Sequence, residues 1–489
     1  MNREPLTTDE PDDHPGQIRS GKLAGKSMWA AIWILALPVL LQQTMSAFIG
    51  LVDTILAGRL PEAIVVAALD AVGIGSYVTW FILIAMIGLG IGGQALIARA
   101  MGSGNLAESH GALGTSLVLS LIWGGMVGVL MWLGAYLLGP ICGLTPAAAE
   151  LLVDYVQIIA YAMPLAGFML VGSMCLAGAG ETVMPSVIAI TVNVVNVFVS
   201  WALSGVDVSF GSWTLVNPFS FDLHLVGIAM GTSISYLIGA VLTLAVLLRG
   251  VRDLRLEMSG IAVDRAIARR VIRVGTLAFF DSLMMWTANI LVLLVIGMVA
   301  AAGAIEGVPL EGLQGAHVIA IRWEAFSFLP GFAMGTAAGA LAGQYLGAGN
   351  PRAARRAILA CTGIGCAIMG VLGLVFIFGG ELLTRIISTE PVHLDEAPTL
   401  LLICGLVQVF FAISMVVRQG LRGVGDTTWM FIITTVSSFG IRLPVAWLLG
   451  VYLGMGLKGV WIGLCGEIVF RAVLTSARFV HGGWQRVRV

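Results

Sequence analysis

The chain contains an internal duplication: short motifs recur at an offset of 245 residues, from Leu96 to Leu341. One copy holds Leu96, Gly102, Gly104, Asn105, Leu176, Gly178, Gly180, Glu181 and Thr182. The second holds Leu341, Gly347, Gly349, Asn350, Leu421, Gly423, Gly425, Asp426 and Thr427. Because the surrounding sequence is strongly apolar, the duplication predicts two similar halves embedded in a membrane. In transporters of this design, substrates and ions bind at the interface between the repeats.

The composition excludes an ordinary soluble protein. Charged residues make up 11% of the 489 residues and apolar residues 58%, whereas about a quarter of the residues in soluble domains are charged. The mean hydropathy is +0.97, so a soluble fold would expose large apolar patches to water. We therefore expect the lipid bilayer as the surrounding medium. The net charge of -1 gives no indication of a nucleic-acid partner.

Twelve apolar runs are long enough to cross a bilayer, which requires about 20 residues in a helix. They lie near 29–56, 66–99, 110–138, 150–174, 184–204, 225–249, 269–301, 315–346, 356–379, 397–420, 427–450 and 456–480. We predict an all-α integral membrane protein with twelve transmembrane helices in two six-helix lobes. Since each half has an even number of spans, the lobes are expected to be related by a pseudo-two-fold axis along the membrane normal.

The distribution of arginine and lysine predicts the orientation. With the N-terminus inside, 20 of these residues fall in inside segments and 3 in outside segments, which agrees with the positive-inside rule. We therefore predict a multi-pass protein of the cell inner (plasma) membrane with both termini cytoplasmic. The predicted regions are a disordered cytoplasmic tail (1–27), an N-lobe (28–249), a cytoplasmic linker (250–268), a C-lobe (269–480) and a cytoplasmic C-terminal tail (481–489).

The duplicated glycine motifs have a structural interpretation. Each follows a long apolar run, and glycine there supplies the left-handed residue that ends a helix. Glu181 and Asp426 are then placed to cap the next helix. A phosphate-binding loop would need a preceding strand and a Lys-Ser/Thr pair, which both motifs lack. The six cysteines have no metal-ligand spacing and are interpreted as small buried residues.

Several motifs occur together in one order along the chain. They are Ala36-Leu37-Pro38, Val52-Asp53-Thr54, GQYLGAGNP (343–351), LRGVGDT (421–427), Arg442-Leu443-Pro444 and GLKGVWIG (456–463). On these motifs the chain resembles the multidrug and toxic compound extrusion (MATE) transporters over residues 28–484. The resemblance implies two six-helix lobes that form a V. It also implies export of small organic, commonly cationic, compounds in exchange for protons or sodium ions, by a functional monomer without a cofactor.

Ionisable and polar groups in the first half are candidates for cation coupling, because such groups are costly inside a bilayer. The resemblance implies a coupling role for Asp53 and a helix bend at Pro38. Asn193, Asn196 and Ser200 are spaced to form one polar stripe. Ser200 stands where proton-coupled relatives place an aspartate, which weakens a mechanism confined to the N-lobe. The alternatives are an interfacial Asp53 and hydrogen bonding between helices by the stripe.

The second half contains Asp281 and Glu324 within predicted spans 7 and 8. Such an acidic pair would suit proton or sodium coupling, with sodium bound at both residues, or attraction of a cationic substrate. Alternatively, these acids neutralise Arg322 or Arg442 between helices. Glu467 and Arg471 are four residues apart and are expected to pair with each other. The candidate substrate-binding residues are Met285, Trp286, His317 and Gln408.

Two other function classes would require different features of the sequence. A flippase for lipid-linked or polysaccharide precursors would need a strongly basic cavity, and only Arg322 and Arg442 are expected to lie deep in the membrane. A membrane enzyme or receptor would need a catalytic constellation or a large extramembrane domain, and the sequence shows neither. The sequence also lacks a Walker motif, which excludes a self-contained ATPase.

Overall fold

The computed structural model describes residues 17–18, 23–61, 64–141, 144–210, 213–219, 221–251, 253–256, 263–305, 313–388 and 390–487. Eleven described helices are long and apolar enough to cross a membrane, and one bent helix pair brings the number to twelve. The predicted all-α architecture with twelve spans is therefore confirmed.

The first half contains seven helices and a small hairpin. The helices are α1 (Met28–Ala57), α2 (Val65–Ser103), α3 (Leu106–Ile141), α4 (Pro146–Tyr161), α5 (Met163–Gly178), α6 (Val183–Ser204) and α7 (His224–Arg249). Strands β1 (Val208–Phe210) and β2 (Trp213–Leu215) pair antiparallel between α6 and α7. The sequence predicts one straight span over 150–174, but α4 and α5 meet at an angle of 54°. Pro164, in the first turn of α5, cannot donate the backbone hydrogen bond that would continue α4.

The second half contains another seven helices. They are α8 (Arg265–Ile305), α9 (Leu313–Gly347), α10 (Pro351–Ile387), α11 (Pro391–Gly423), α12 (Thr427–Ser437), α13 (Leu443–Trp447) and α14 (Gly456–His481). The eleventh span combines α12 and α13 with two π-helical segments, Ser438–Arg442 and Leu448–Tyr452. A short 3₁₀ helix, Gly483–Arg486, follows α14. The π-helical turns widen the hydrogen-bond pattern locally, which apolar periodicity alone did not predict.

The buried apolar clusters differ between the two ends of the bundle. At one end, a cluster with Leu56, Ile159 and Ile228 has its buried residues in the first half only. The matching cluster, centred on Trp461, draws its buried residues from the second half only. At the opposite end, a single cluster joins α1, through Leu35, to α9 and α11. Among the described residues, the two lobes therefore share a buried cluster at the predicted cytoplasmic end and have separate buried clusters toward the predicted outer end.

The duplicated glycines occupy equivalent conformations in the two halves. Gly104 and Gly349 have φ angles of 78° and 76°, and Gly180 and Gly425 have φ angles of 84° and 91°. These four are the left-handed residues that the motifs predicted. Glu181 caps α6 as expected, because its Oε1 accepts hydrogen bonds from the N–H groups of Val183 and Met184.

Asp426 does not cap α12, contrary to the sequence-based expectation. Its Oδ2 lies 2.8 Å from Nε of Arg478 on α14, and α12 begins without a side-chain cap. The difference from Glu181 has a simple physical cause, because a guanidinium group lies within reach of Asp426 and offers a charge-assisted hydrogen bond.

Parts of both predicted tails pack against the bundle. Ile18 and Leu23 lie in the segment expected to be disordered, yet both side chains are buried in the cluster that joins the lobes. Trp484 is also buried there, stacked on Phe479 with 5.7 Å between ring centroids. The linker contributes Leu254 and Leu256 to a separate buried cluster. Residues 1–16, 19–22, 252, 257–262 and 488–489 lie outside the described part of the chain.

Candidate functional site

The cleft between the lobes is the natural candidate for a functional site. On the first half its wall includes α2, which packs against α8 and α9 of the second half. Glycines allow a close approach between α2 and α8: a Cβ on Gly88 would lie 2.7 Å from the carbonyl oxygen of Gly275. A Cβ on Gly275 would lie 2.8 Å from the Gly88 oxygen in return. Such distances leave no room for any larger residue without a shift of the helices.

At the closed end, the duplicated motifs meet each other across the interface. Gly102 packs against the backbone of Gln344, and Gly347 packs against the backbone of Arg99. Arg99 and Gln344 occupy equivalent positions, as do Gly102 and Gly347, since each pair is separated by 245 residues. The predicted pseudo-two-fold axis thus passes through the crossing of α2 and α9.

Two hydrogen bonds cross the interface in opposite directions. Arg99 Nη2 donates to the carbonyl oxygen of Val424 at 3.0 Å. Gln344 Nε2 donates to the carbonyl oxygen of Gly178 at 2.8 Å. We call these two donors and two acceptors the reciprocal latch. An ion pair between Arg270 on α8 and Glu108 on α3 adds a third polar link between the lobes.

The sequence-based interpretation missed the latch. It assigned the glycines of the motifs to left-handed helix termini. This is correct for four of them, whereas Gly102, Gly178, Gly347 and Gly423 lie in the last helical turn without the left-handed conformation. These four are helical residues that allow close approach of a neighbouring backbone. The signal was present in the equivalence of Arg99 and Gln344, because a long polar side chain beside each glycine pair can reach across the axis.

The polar stripe of the N-lobe connects α6 to α7. Asn196 Nδ2 donates to Thr232 Oγ1 at 3.0 Å, and Ser200 Oγ donates to the carbonyl oxygen of Ile228 at 3.3 Å. Asn196 and Ser200 are buried, whereas Asn193 is half-buried. Hydrogen bonding between helices, which was the alternative interpretation of the stripe, therefore describes what Asn196 and Ser200 do in this conformation.

The remaining N-lobe candidates lie on α1. The backbone of Asp53 belongs to α1, but its side chain lies outside the described part of the structure. The helix continues through Pro38 without interruption. A coupling role for Asp53 and a bend at Pro38 therefore stay predictions.

Asp281 is fully buried on α8 and faces two arginines of α11. Its Oδ2 lies 2.6 Å from Nη2 of Arg418 and 3.3 Å from Nη2 of Arg422. Arg422 also donates to the carbonyl oxygen of Ala278 at 2.9 Å. The sequence suggested Arg322 or Arg442 as partners for this acid, so the pairing is of the expected kind but with different arginines. A sodium ion at Asp281 would compete with two guanidinium groups.

A second buried carboxylate, Glu467 on α14, also faces two arginines. Its Oε2 lies 2.9 Å from Nη2 of Arg442, and its Oε1 lies 3.1 Å from Nε of Arg471. The pairing with Arg471 agrees with the spacing of four residues, whereas the contact with Arg442 comes from the fold. Arg442 also donates to Asn289 Oδ1 on α8.

Met285 connects the two ion-pair groups. Its sulfur accepts from Arg471 Nη1 at 2.9 Å and lies 3.9 Å from Arg418 Nη1. Asp281, Met285 and Asn289 are spaced four residues apart and thus share one face of α8. We call the whole assembly the C-lobe charge network, and it consists of Asp281, Met285, Asn289, Arg418, Arg422, Arg442, Glu467 and Arg471.

Glu324 differs from the other two acids. It lies on α9 and interacts electrostatically with Arg442 and Arg471. It forms no ion pair with any residue that the structure describes. Its side chain is half-buried. Across the described ranges, no group of three His, Cys, Asp or Glu residues could hold a metal ion. A sodium site formed by Asp281 and Glu324 has two acids and thus stays a prediction.

The four candidate substrate-binding residues occupy different environments. His317 is buried and its Nδ1 accepts from Trp461 Nε1 at 3.1 Å. Gln408 is buried and donates to the Cys404 sulfur, while Met285 belongs to the charge network. Trp286 alone among the four makes a described ring contact across the cleft, with Phe81 of α2 at 6.4 Å between centroids. Trp286 thus lies at a contact between the lobes, and the substrate-binding roles of all four residues stay predictions.

Comparison with known proteins agrees with the duplication. The MatE family model matches residues 38–202 and again residues 278–448. A probable multidrug resistance protein NorM of Thermotoga maritima is 27% identical over 454 residues, covering 92% of both chains. The multidrug resistance protein PmpM of Pseudomonas aeruginosa is 25% identical over 468 residues, covering 93% of this chain and 91% of its own.

Solved structures show the same fold. A MATE family transporter of the MOP superfamily in an outward-facing conformation matches with a TM-score of 0.83 at 19% identity, covering 95% of this chain and 98% of its own. A MOP superfamily transporter from Pyrococcus furiosus, described as having a binding pocket of reverse polarity, matches with a TM-score of 0.81 at 20% identity and the same coverage. Members of the family are transporters and not enzymes. The chain is therefore a multi-pass membrane protein that belongs to the MatE family.

Proposed function

We propose that this protein is a secondary antiporter that exports small organic compounds, often cationic, in exchange for protons or sodium ions. The observation that carries the proposal is the arrangement of the lobes, which are joined at one end and separate at the other. The names of the curated relatives, which refer to multidrug resistance, support organic compounds as the cargo. The physiological setting would be the inner (plasma) membrane with both termini in the cytoplasm, and a monomer would suffice.

The transport cycle would require the closed end to open. The reciprocal latch and the glycine contacts hold α2 against α8 and α9, so their release would allow the lobes to rock around the cleft. The latch consists of two hydrogen bonds, each with a net contribution of about 1 kcal/mol. One charge that moves through 100 mV gains about 2.3 kcal/mol. The driving ion thus supplies enough free energy to offset the latch.

Glu324 and Asp53 are the acids best suited to couple an ion to this motion. A coupling carboxylate must be free to exchange its ion during the cycle, and Glu324 lacks an ion-pair partner among the described residues. Asp281 is instead held by Arg418 and Arg422, so we assign it the role of positioning these arginines at the interface. Asn193 and Asn196 would assist Asp53 by hydrogen bonding in the N-lobe.

A second candidate function is a flippase for lipid-linked precursors. The structure contains more arginines inside the C-lobe than the sequence predicted, since Arg422, Arg442 and Arg471 are buried there and Arg418 is half-buried. These four arginines, however, face Asp281 and Glu467 within the lobe. Of the two arginines that the sequence places deep in the membrane, Arg442 is paired with Glu467, and Arg322 is exposed without an ion pair among the described residues. A pyrophosphate group would need several free arginines, so export of organic compounds is the better supported function.

Transport assays in liposomes that contain the purified protein would test the proposal. We expect an ethidium-like cation to move against its gradient when a pH or sodium gradient is imposed, and to stop when that gradient is abolished. Asp53→Asn and Glu324→Gln should each reduce ion-driven transport at least tenfold while folding is retained. Glu381→Gln, at an exposed pair with Arg385, serves as the control. Transport that is independent of both gradients would contradict antiport.

A further inference from the structure

The first turns of α8 carry a stripe of three arginines on one exposed face. Arg265, Arg269 and Arg273 are spaced four residues apart and are all exposed. Together with Ala268 and Ile272 they line a shallow groove of about 660 Å³. We call these three residues the arginine stripe. Because the spacing matches the helical repeat, their side chains lie one above the other along about 12 Å of the helix axis.

The stripe points away from the rest of the protein. The opposite face of α8 packs against α2, where Val271 and Gly275 contact Gly92 and Gly88. Val271, Gly275 and Ala278 are buried, whereas Ile272, Thr276 and Phe280 are exposed and continue the line of the stripe. In a helix that crosses a membrane, such an outward face is in contact with lipid. At the predicted cytoplasmic end of α8, the stripe is therefore expected to face the lipid headgroups.

No acid in the described part of the chain neutralises the charges of the stripe. None of the three arginines forms an ion pair with a described acid, whereas Arg270, on the inner side of the same turns, pairs with Glu108. The neighbouring acid in sequence, Asp264, is engaged as a helix cap, because its Oδ1 accepts from the N–H groups of Ala266 and Ile267. Three guanidinium groups thus remain available to an external anion.

The stripe is complementary in charge to the headgroup of an anionic phospholipid, and the apolar residues that continue it are complementary to acyl chains. Guanidinium groups at the membrane surface are suited to bidentate hydrogen bonds with phosphate. Below them, Ile272 and Phe280 are 45% and 42% exposed and offer an apolar surface to an acyl chain. We propose that the arginine stripe is a binding site for the phosphate headgroup of an anionic phospholipid, whose acyl chains lie along Ile272 and Phe280.

Occupancy of this site would act on the helix that joins the lobes. The same α8 carries the close contact between Gly275 and Gly88 and, nearly two turns further, Asp281 of the C-lobe charge network. A lipid held on the outer face of α8 would neutralise the stripe and order its first turns. Bound anionic lipid is therefore expected to stabilise the folded protein more than zwitterionic lipid does.

Lipid binding to the purified full-length protein in detergent tests the proposal. Native mass spectrometry and thermal unfolding would be measured with phosphatidylglycerol and with phosphatidylcholine. We expect phosphatidylglycerol to bind preferentially, and Arg269→Gln with Arg273→Gln to reduce that preference about tenfold. Arg269→Lys with Arg273→Lys should retain most of it, and inorganic phosphate at millimolar concentration should not compete.

A matched pair of substitutions separates the site from surface charge in general. Arg352 and Arg356 on α10 are also exposed and four residues apart, so Arg352→Gln with Arg356→Gln removes the same charge elsewhere. We expect this control to keep the wild-type preference. Equal losses in both double variants, equal binding of the two lipids by the wild type, or competition by inorganic phosphate would overturn the proposal.

Discussion

The two lobes share their backbone contacts at the closed end but differ in the chemistry of their interiors. The N-lobe connects α6 to α7 through neutral groups, such as Asn196 with Thr232. The C-lobe connects α8, α11 and α14 through two buried carboxylates, Asp281 and Glu467, each between two arginines. The duplication is thus retained in the backbone contacts at the closed end, whereas the C-lobe charge network belongs to one half.

The same contrast appears at the closed end. Arg99 in the N-lobe and Gln344 in the C-lobe hold equivalent positions and donate to equivalent turns of the opposite lobe. A charged and a neutral donor thus serve one symmetric purpose, because each acceptor is a carbonyl oxygen rather than an acid. The position of the hydrogen-bond donor is therefore the same in both lobes, whereas its charge differs.

The largest effect is expected from removal of a C-lobe carboxylate. Glu467→Gln removes the only ion-pair partner that Arg442 and Arg471 have among the described residues, and breaking a buried ion pair costs about 3–5 kcal/mol. Asn196→Ala in the N-lobe removes one neutral hydrogen bond and should cost about 1 kcal/mol. Reversible unfolding in mixed micelles would measure both. Glu381→Gln, at the exposed pair with Arg385, is the control. A similar cost in unfolding free energy for Glu467→Gln, Asn196→Ala and Glu381→Gln would contradict the proposed difference between the lobes.

The next effect concerns the glycine contacts, in which the lobes are alike. Gly347→Ala adds a Cβ against the backbone of Arg99, so we expect a cost of about 1–3 kcal/mol from overpacking. Gly363→Ala on α10 is the matched control, since nothing lies within 4 Å of its Cβ. There the substitution should be neutral or slightly stabilising. Equal stability of the two variants would show that the closed end is not tightly packed at Gly347.

Features of the fold and of the candidate site could be predicted from the sequence where they depend on residues close together in the chain. The twelve spans and the four left-handed glycines follow from local patterns, and the structure confirms them. The pairs of Asp281 with Arg418 and Arg422 did not follow, because the partners are separated by more than 130 residues in sequence. The break between α4 and α5 and the π-helical turns of the eleventh span were also missed, since apolar composition continues through them.

A smaller effect is expected when either hydrogen-bond donor of the reciprocal latch is removed. Arg99→Ala and Gln344→Ala each remove one hydrogen bond across the interface, and each should favour opening of the closed end by about 1 kcal/mol. The double variant should shift the ratio of open to closed forms about thirtyfold if the contributions add. Distances between spin labels on the two lobes would report the shift. Arg352→Ala, at an exposed site on one lobe, is the control, and a shift confined to Arg99→Ala would show that charge rather than symmetry matters.

The most direct test of the central claim is a reversible cross-link at the closed end. Ala98 and Gly343 are equivalent residues that face each other, and a Cβ on Gly343 would lie 2.6 Å from the Ala98 Cβ. Ala98→Cys with Gly343→Cys should therefore form a disulfide after a small adjustment, in a background without the native cysteines. We expect oxidation to abolish gradient-driven transport in liposomes, reduction to restore it, and each single cysteine variant to be insensitive. Transport at the wild-type rate after complete cross-linking would contradict the claim that the lobes must separate at this end.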